Sequence, residues 1–395
     1  MSGSLAARAG APVPVVHVIT LLELGGAQQN TLTTVARLDR ARFAPQLVCG
    51  VGGYLDDEAR ALGVPVHFLP ELVRPVAPLN DLRAARALAA LLAPLAARGP
   101  VVVHTHSSKA GLLGRRAAAR AGARPVVHTV HGFGHDALPR GPLRAAGVWA
   151  ERRAARHTDA FLSVSRANIE RGRALGLFGD RPVHLVRSGI DVADFARAPQ
   201  LRDAARAGLG VPAGAPLVGM IACLKPQKAP LDFVALAARV AGARPDARFF
   251  VAGDGELRPQ MEQALAAAGL RERCLLLGWR RDVPELLGTL DVLALTSRWE
   301  GLPRVCPQAM AAGRPIVASA VDGVPEAVVD GRNGLLFAPG DVGKAADGVL
   351  RLLADPALAS RFGAAGRAAV EEFSEGRMVA EQERIYSGLL PQQGP

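Results

Sequence analysis

Short apolar runs rich in Val, Leu and Ala recur from one end of the chain to the other. In the first half they fall at Val13–Leu22, Gln46–Gly50, Val64–Leu69, Val101–His104, Pro125–Val130, Ala160–Val164 and Val183–Val186. In the second half they fall at Leu217–Leu224, Arg248–Ala252, Cys274–Leu277, Asp291–Thr296, Pro315–Ala318 and Gly334–Phe337. Each has strand length and little polar alternation, the pattern of a strand buried on both faces. Ala/Leu/Arg-rich stretches such as Asp81–Ala97, Leu112–Ala121 and Pro142–His157 lie between them and read as helices. Repeated β then α predicts parallel, doubly wound sheets of α/β class. A chain of 395 residues exceeds one ordinary core. Composition shifts towards Ala, Gly and Asp between Gly189 and Pro216, which sets a domain joint near Gly189. Two Rossmann-like domains result, 1–189 and 190–372, with an interdomain cleft. The tail 373–395 contains one amphipathic helix, Arg377–Leu389, that crosses back to the first domain.

The best-specified passage is Thr296–Ser319, TSRWEGLPRVCPQAMAAGRPIVAS. It reads as strand, polar loop, helix over Arg304–Ala312, and strand. A helix beginning near Pro303 turns its first unpaired N–H groups back towards the loop, where they favour an anion. Glu300 stands at the carboxyl end of the strand, where open α/β sheets bind ligands, and Gln308 follows about two helical turns later. A carboxylate beside an anion site suits hydroxyls, not phosphate. Phosphate with hydroxyls nearby suggests a nucleotide sugar, held by Glu300, Gly301, Leu302, Pro303 and Gln308. The bland alternative for Glu300 is a solvated loop carboxylate.

Other strand ends carry further candidates. Val13–Leu22 runs into Glu23-Leu24-Gly25-Gly26-Ala27-Gln28 and then a helix, the first half of a βαβ phosphate-binding unit without GxGxxG. Two of the four lysines, Lys225 and Lys228, fall in the one loop after Leu217–Leu224. Lys228, with Lys225 as auxiliary, is read as the diphosphate partner. The Gly278-Trp279-Arg280 loop is expected to approach a base. His131, before Gly132 at a strand end, is expected to face the cleft and touch a sugar. The histidines at His104, His106, His128 and His131 also suit a zinc site in principle, but no carboxylate-rich cluster accompanies them, so none is assigned. Core and loop histidines bonded to backbone are the plainer alternative.

Charge alters the picture in one respect. Residues 1–190 hold 24 Lys+Arg against 12 Asp+Glu, a balance of +12, and residues 191–395 hold 23 against 24, a balance of −1. A basic half suits an anionic partner, and without basic-aromatic interleaving a membrane face is favoured over nucleic acid. An Arg-rich proteome explains the same excess. Pro142–His157 is either a helix resting on a bilayer surface or a solvated helix with its Ala face inward. The longest apolar stretch, Ala87–Ala97, falls short of the ~20 residues of a membrane span. Four scattered cysteines suggest no disulfide framework. The amino end does not read as a signal peptide, so a cytoplasmic protein, peripheral on the inner membrane at most, is expected.

Taken together, LGGAQ, HTHSSKAG, HTVHGFG, SGID, PQK and EGLP resemble the retaining, two-Rossmann-domain (GT-B) glycosyltransferases of family 4, and most of all their capsular and exopolysaccharide members. The likeness implies transfer from a nucleotide sugar, with UDP-sugars as the expected donors, to a saccharide or polyprenyl-diphosphate-linked acceptor. It implies no cofactor and no metal, in keeping with the lack of an Asp-x-Asp. His131 corresponds to the active-site histidine and Gly25–Gly26 to the glycine loop under the reacting groups. Gln28, His106 and Lys109 fall with Gly25 on the acceptor side. Two positions depart from the family: Gln308 replaces the second glutamate of Glu-x7-Glu, and Cys223 replaces the arginine that accompanies the diphosphate lysine. Two other readings therefore stay open, a nucleotide-sugar 2-epimerase and a sugar-nucleotide-binding protein without turnover.

Overall fold

A computed structural model describes residues 11–138 and 140–391. The first sheet contains β1 (Val13–Val18), β2 (Phe43–Cys49), β3 (Val66–Phe68), β4 (Val102–His106), β5 (Val126–Val130), β6 (Ala160–Ser163) and β7 (Val183–Leu185). They lie parallel in the order β3-β2-β1-β4-β5-β6-β7. The second contains β8 (Leu217–Ile221), β9 (Arg248–Ala252), β10 (Cys274–Gly278), β11 (Val292–Leu295), β12 (Ile316–Ser319) and β13 (Gly334–Phe337). Its order is β10-β9-β8-β11-β12-β13, again parallel. Both are doubly wound α/β sheets.

The apolar runs follow from burial on both faces. Phe249 joins a core with Phe233, Val240 and Leu352, while its neighbour Phe250 faces the other way onto Leu286, Leu290 and Met310. Successive residues alternate faces, so with helices on each face neither position is polar. The same fact explains where the runs overshoot. β1 ends at Val18, yet Ile19 and Leu22 stay fully buried beneath the following loop. Likewise β8 ends at Ile221, three residues before the apolar run stops at Leu224.

The chain crosses between the sheets twice, and the crossings lie side by side. Ile190 bridges Ser374. The Ile190 N–H donates to the Phe373 carbonyl at 2.8 Å, and the Glu375 N–H donates to the Ile190 carbonyl at 3.0 Å. Gly189 permits this approach, since a Cβ there would stand 2.5 Å from the Glu375 Cα. Ser374 then caps the helix Glu375–Leu389. That helix returns to the first sheet, where Met378, Val379, Ile385 and Tyr386 pack with Val15, Phe43, Val102 and Leu162.

Under this helix the sheet has a polar centre. His17 and His104 are register partners on β1 and β4. The His104 ring bonds the Tyr386 hydroxyl at 2.5 Å and the Thr129 hydroxyl at 2.6 Å. Tyr386 donates in turn to Gln382 Oε1 at 3.0 Å, and Gln382 reaches Thr34. His104, Tyr386 and Gln382 are all buried and bonded to one another or to Thr129 and Thr34, as low-dielectric surroundings require.

Two outcomes follow for stability. Tyr386→Phe leaves His104 Nδ1 and the Gln382 carbonyl oxygen without a partner, and should lower the first unfolding transition by about 1–3 kcal/mol in a denaturant titration. Burial also lowers His17 from 6.5 to about 3, His131 to about 4, and His104, His106 and His128 well below 6.5. Unfolding lets these rings take up protons that the fold refuses. Stability should therefore be full above pH 6.5 and fall as the pH drops towards 3, by about 1.4 kcal/mol per pH unit for each group still neutral in the fold. Denaturant midpoints measured from pH 8 to pH 4 test this.

Candidate functional site

In each sheet the strand order reverses beside the first strand, between β1 and β4 and between β8 and β11. The loops at the carboxyl ends of such strands diverge and leave a crevice. Loops from both crevices meet face to face. In the second domain, Pro226–Lys228 forms a single 3₁₀ turn after β8. The hydroxyl of Thr296, just past β11, donates to the carbonyls of Lys228 and Ala229, each at 3.0 Å. The Arg298 N–H donates to the Gln227 carbonyl at 2.7 Å. The two loops are thus laced together.

That lacing sets Lys228 against Glu300, Nζ on Oε1. Glu300 is only 6% exposed, and it also accepts from the Ser297 hydroxyl at 2.6 Å. Its own N–H donates to Asp322 at 2.7 Å. Burial by itself would lower the Lys228 pKa, but the Glu300 carboxylate, with Cys223 nearby, outweighs it and raises the value. Lys228 is a half-buried cation, its side chain 16% exposed. One of its three N–H bonds is spent on Glu300, and two remain for an anion.

The first domain closes on this pair through His131-Gly132, just after β5. A Cβ on Gly301 would stand 1.8 Å from the His131 carbonyl oxygen, so only glycine permits the contact. His131 is partly exposed, and its ring lies 3.1 Å from His106. Burial, and then Arg304, lowers its pKa to about 4, so the ring is neutral.

Arg304 is a site residue that the sequence reading missed. Its Nε donates to the Gly189 carbonyl at 3.1 Å and its Nη1 to Gln29 Oε1 at 2.5 Å, so it spans the joint. Its Cδ lies 3.5 Å from where a Cβ on Gly26 would be. Burial lowers its pKa to about 10, which leaves it charged. No local signal marks it, because its partners lie 115 and 275 residues away. The helix after the loop is Val305–Ala311, seven residues, shorter than Arg304–Ala312. Its dipole is correspondingly weak, and the side-chain cations Lys228 and Arg304 carry most of the positive charge here.

The remaining candidates disperse. Leu302, Pro303 and Gln308 are buried around Glu300 and the short helix. Lys225 faces across the cleft, 3.7 Å from Glu23. Gly278 ends β10, and Trp279 lies against Tyr54 of the first domain with ring centres 6.4 Å apart. Arg280 is occupied by Asp282. On the other side, Gly25 precedes the helix Gly26–Arg37, and the Gln28 amide folds back to the Leu21 carbonyl at 3.2 Å. Lys109 is tied to Asp81 at 2.5 Å and to the Pro75 carbonyl, which holds it away from the cleft. His106 is 2% exposed and bonds only His17 and His131, so it supports the site from beneath without facing an acceptor. Of the histidines weighed as a zinc set, His104 and His106 gather with His17, their nitrogens within 4.8 Å of one another; the nitrogens of His104 bond Tyr386 and Thr129, those of His106 bond His17 and His131, and His128 bonds Thr105.

Comparison with known proteins agrees with this geometry. Residues 25–189 match the model of the glycosyl transferase 4-like domain, and residues 202–369 match that of the glycosyl transferases group 1. The chain is 31% identical over 353 residues, 88% of its length and 89% of the other's, to UDP-Gal:alpha-D-GlcNAc-diphosphoundecaprenol alpha-1,3-galactosyltransferase of Escherichia coli. It is 32% identical to alpha-maltose-1-phosphate synthase of Mycolicibacterium smegmatis over 73% of its own length and 79% of that protein's. Among solved structures, HepE of Anabaena in complex with UDP and glucose superimposes with a TM-score of 0.79 at 20% identity, over 95% of this chain and 99% of that one. A glycosyltransferase of Rickettsia africae gives 0.81 at 18% identity, over 97% and 100%. The paired sheets, the facing crevices and these likenesses lead to one conclusion: the chain belongs to the group 1 glycosyl transferases with a 4-like amino-terminal domain, and it is a glycosyltransferase of GT-B fold.

Proposed function

We propose that the protein moves a hexosyl unit from a UDP-sugar to a saccharide carried on a polyprenyl diphosphate, in polysaccharide or glycoconjugate assembly, with retention at the anomeric carbon and without a bound metal. One observation carries this reading: the half-buried Lys228–Glu300 pair of the second domain stands beside the contact of Gly301 with His131 of the first. A donor lying there has its diphosphate on the two free N–H bonds of Lys228 and its sugar hydroxyls against Glu300 and His131. Arg304, charged and next to Gly26 and His131, supplies the second cation that Cys223 does not. Charge on the departing diphosphate is then met by preorganised protein cations, the work that a metal does elsewhere. The leaving phosphate takes the acceptor's proton on the same face, which agrees with Glu300 being occupied by Lys228 and Ser297 and not free as a base. Similarity to the Escherichia coli galactosyltransferase supports the lipid-linked acceptor.

A peripheral position at the membrane belongs to the same reading. No helix among the described residues is long and apolar enough to cross a membrane. The helix Pro142–Ala155, however, leaves Leu143 66% and Trp149 64% exposed, with Arg152, Arg153 and Arg156 exposed near its end. Apolar side chains flanked by arginines suit the surface of an anionic bilayer.

Incubation with UDP- and GDP-hexoses and a polyprenyl-diphosphate N-acetylhexosamine should give a new glycoside of the donor's anomeric configuration, undiminished by EDTA. An epimer formed without acceptor, or binding without product, would refute it. Lys228→Ala should cost about 2–4 kcal/mol of transition-state stabilisation, read as a fall in kcat/KM. Gly301→Ala should cut kcat by at least about tenfold by forcing His131 away from Glu300. Sedimentation with phosphatidylglycerol vesicles should fall when Leu143 and Trp149 are both changed to Ser.

A further inference from the structure

His17 lies outside the cleft, fully buried, and the transfer reaction makes no direct use of it. Its Nδ1 lies 3.1 Å from His106 Nε2, and His106 Nδ1 lies 3.1 Å from His131 Nε2. The ring planes tilt only gradually along the series: His17 and His106 are inclined by 12° with centres 5.3 Å apart, His106 and His131 by 30° with centres 5.4 Å apart. Three imidazoles therefore form a single file from the middle of the sheet to the cleft.

We propose that His17 and His106 are positioning residues that hold His131 in the tautomer with its proton on Nδ1, so that the ring offers an N–H donor, and not a lone pair, to an oxygen of the bound sugar. A neutral imidazole has one donor and one acceptor nitrogen. In a file of neutral rings the protons must all point the same way, and only two arrangements exist. In one, His131 Nε2–H donates to His106, His106 Nε2–H donates to His17, and an N–H is left on His17 Nε2. In the other, His17 Nδ1–H donates to His106, His106 Nδ1–H donates to His131, and His17 Nε2 is left with a lone pair. His17 Nε2 is buried and has no partner among the described residues. An orphaned buried N–H is costlier than an orphaned acceptor, so the second arrangement is preferred. It leaves the proton of His131 on Nδ1, the nitrogen not bonded to His106. The choice made at one end of the file is thus delivered at the other. Neighbouring His104 is excluded from the file because Tyr386 and Thr129 occupy both its nitrogens.

The proposal rests on His131 touching the donor sugar, but its test does not require turnover. Two-bond proton–nitrogen correlation spectra of the full chain, labelled with ¹⁵N-histidine, report the tautomer of each ring, and His131→Gln identifies the His131 signals. The Nδ1–H pattern is expected for His131 in the unaltered protein, at neutral pH and without ligand. An Nε2–H pattern, or stoichiometric zinc retained by the purified protein, would overturn it. In His17→Leu the His131 pattern should become a mixture of tautomers, with kcat reduced about tenfold and KM little changed, and His17→Asn, whose amide can donate from the same position, should restore both. An unchanged His131 pattern in His17→Leu would also overturn it. If His17→Leu does not fold, the spectrum of the unaltered protein still decides. An inactive protein with Nδ1–H at His131 would instead refute the assigned activity and leave the relay standing.

Discussion

The structure turns on a place where no side chain fits. Gly301 lies against the carbonyl oxygen of His131, and a Cβ there would be 1.8 Å from it. Because backbone meets backbone, the acidic end of one sheet and the histidine end of the other lie as close as two domains permit. Beside the contact Glu300 is 6% exposed, and its carboxylate raises the pKa of Lys228 against the lowering that burial imposes. Neighbouring contacts reinforce it. Asp322 bonds the Glu300 N–H and lies 3.9 Å from Arg171, which also binds Asp136, while Glu326 bonds the Ala167 N–H and Arg187. The contacts of Asp322 with Arg171 and of Glu326 with Ala167 and Arg187 link the two domains near the same loop.

Fold class was legible because a strand covered on both faces has to be apolar throughout. Arg248–Ala252 and Gly334–Phe337 appear with the limits read from the sequence, and the doubly wound α/β architecture with a returning carboxyl-terminal helix follows from their alternation with helices. Strand ends were less legible, as Ile19, Leu22 and Leu224 show: hydrophobicity reports burial, and burial continues after the ladder has ended. In the site, Lys228 and Glu300 were each marked by the loop that holds them, whereas their pairing depends on β8 and β11 lying side by side. Arg304 carried no such mark. Its role depends on Gln29 and Gly189, which no spacing or composition connects to it. His17 escaped for a similar reason, sitting in a run of valines as one more strand residue until β4 brings His104 and His106 beside it.

Trp279 and Arg280 illustrate a different limit. Their loop does approach the cleft, but Trp279 rests on Tyr54, Arg280 is held by Asp282, and Arg281 instead reaches Glu58. The sequence located the loop, whereas which of three consecutive side chains crosses the gap depends on the backbone turn at Gly278, whose φ is +65°.

The helix Glu375–Leu389 completes the first sheet from the far end of the chain, with Tyr386 bonded to His104 across 282 residues. During synthesis on the ribosome, the amino-terminal half emerges first yet has no cover for its histidine-lined centre until the helix Glu375–Leu389 has been made. Domains that mature in order of translation are the common case. Here the strands of the first sheet are made before those of the second, yet that sheet is covered only after the later helix Glu375–Leu389 has left the exit tunnel, so a chain lacking that helix carries its defect in the half that was made first.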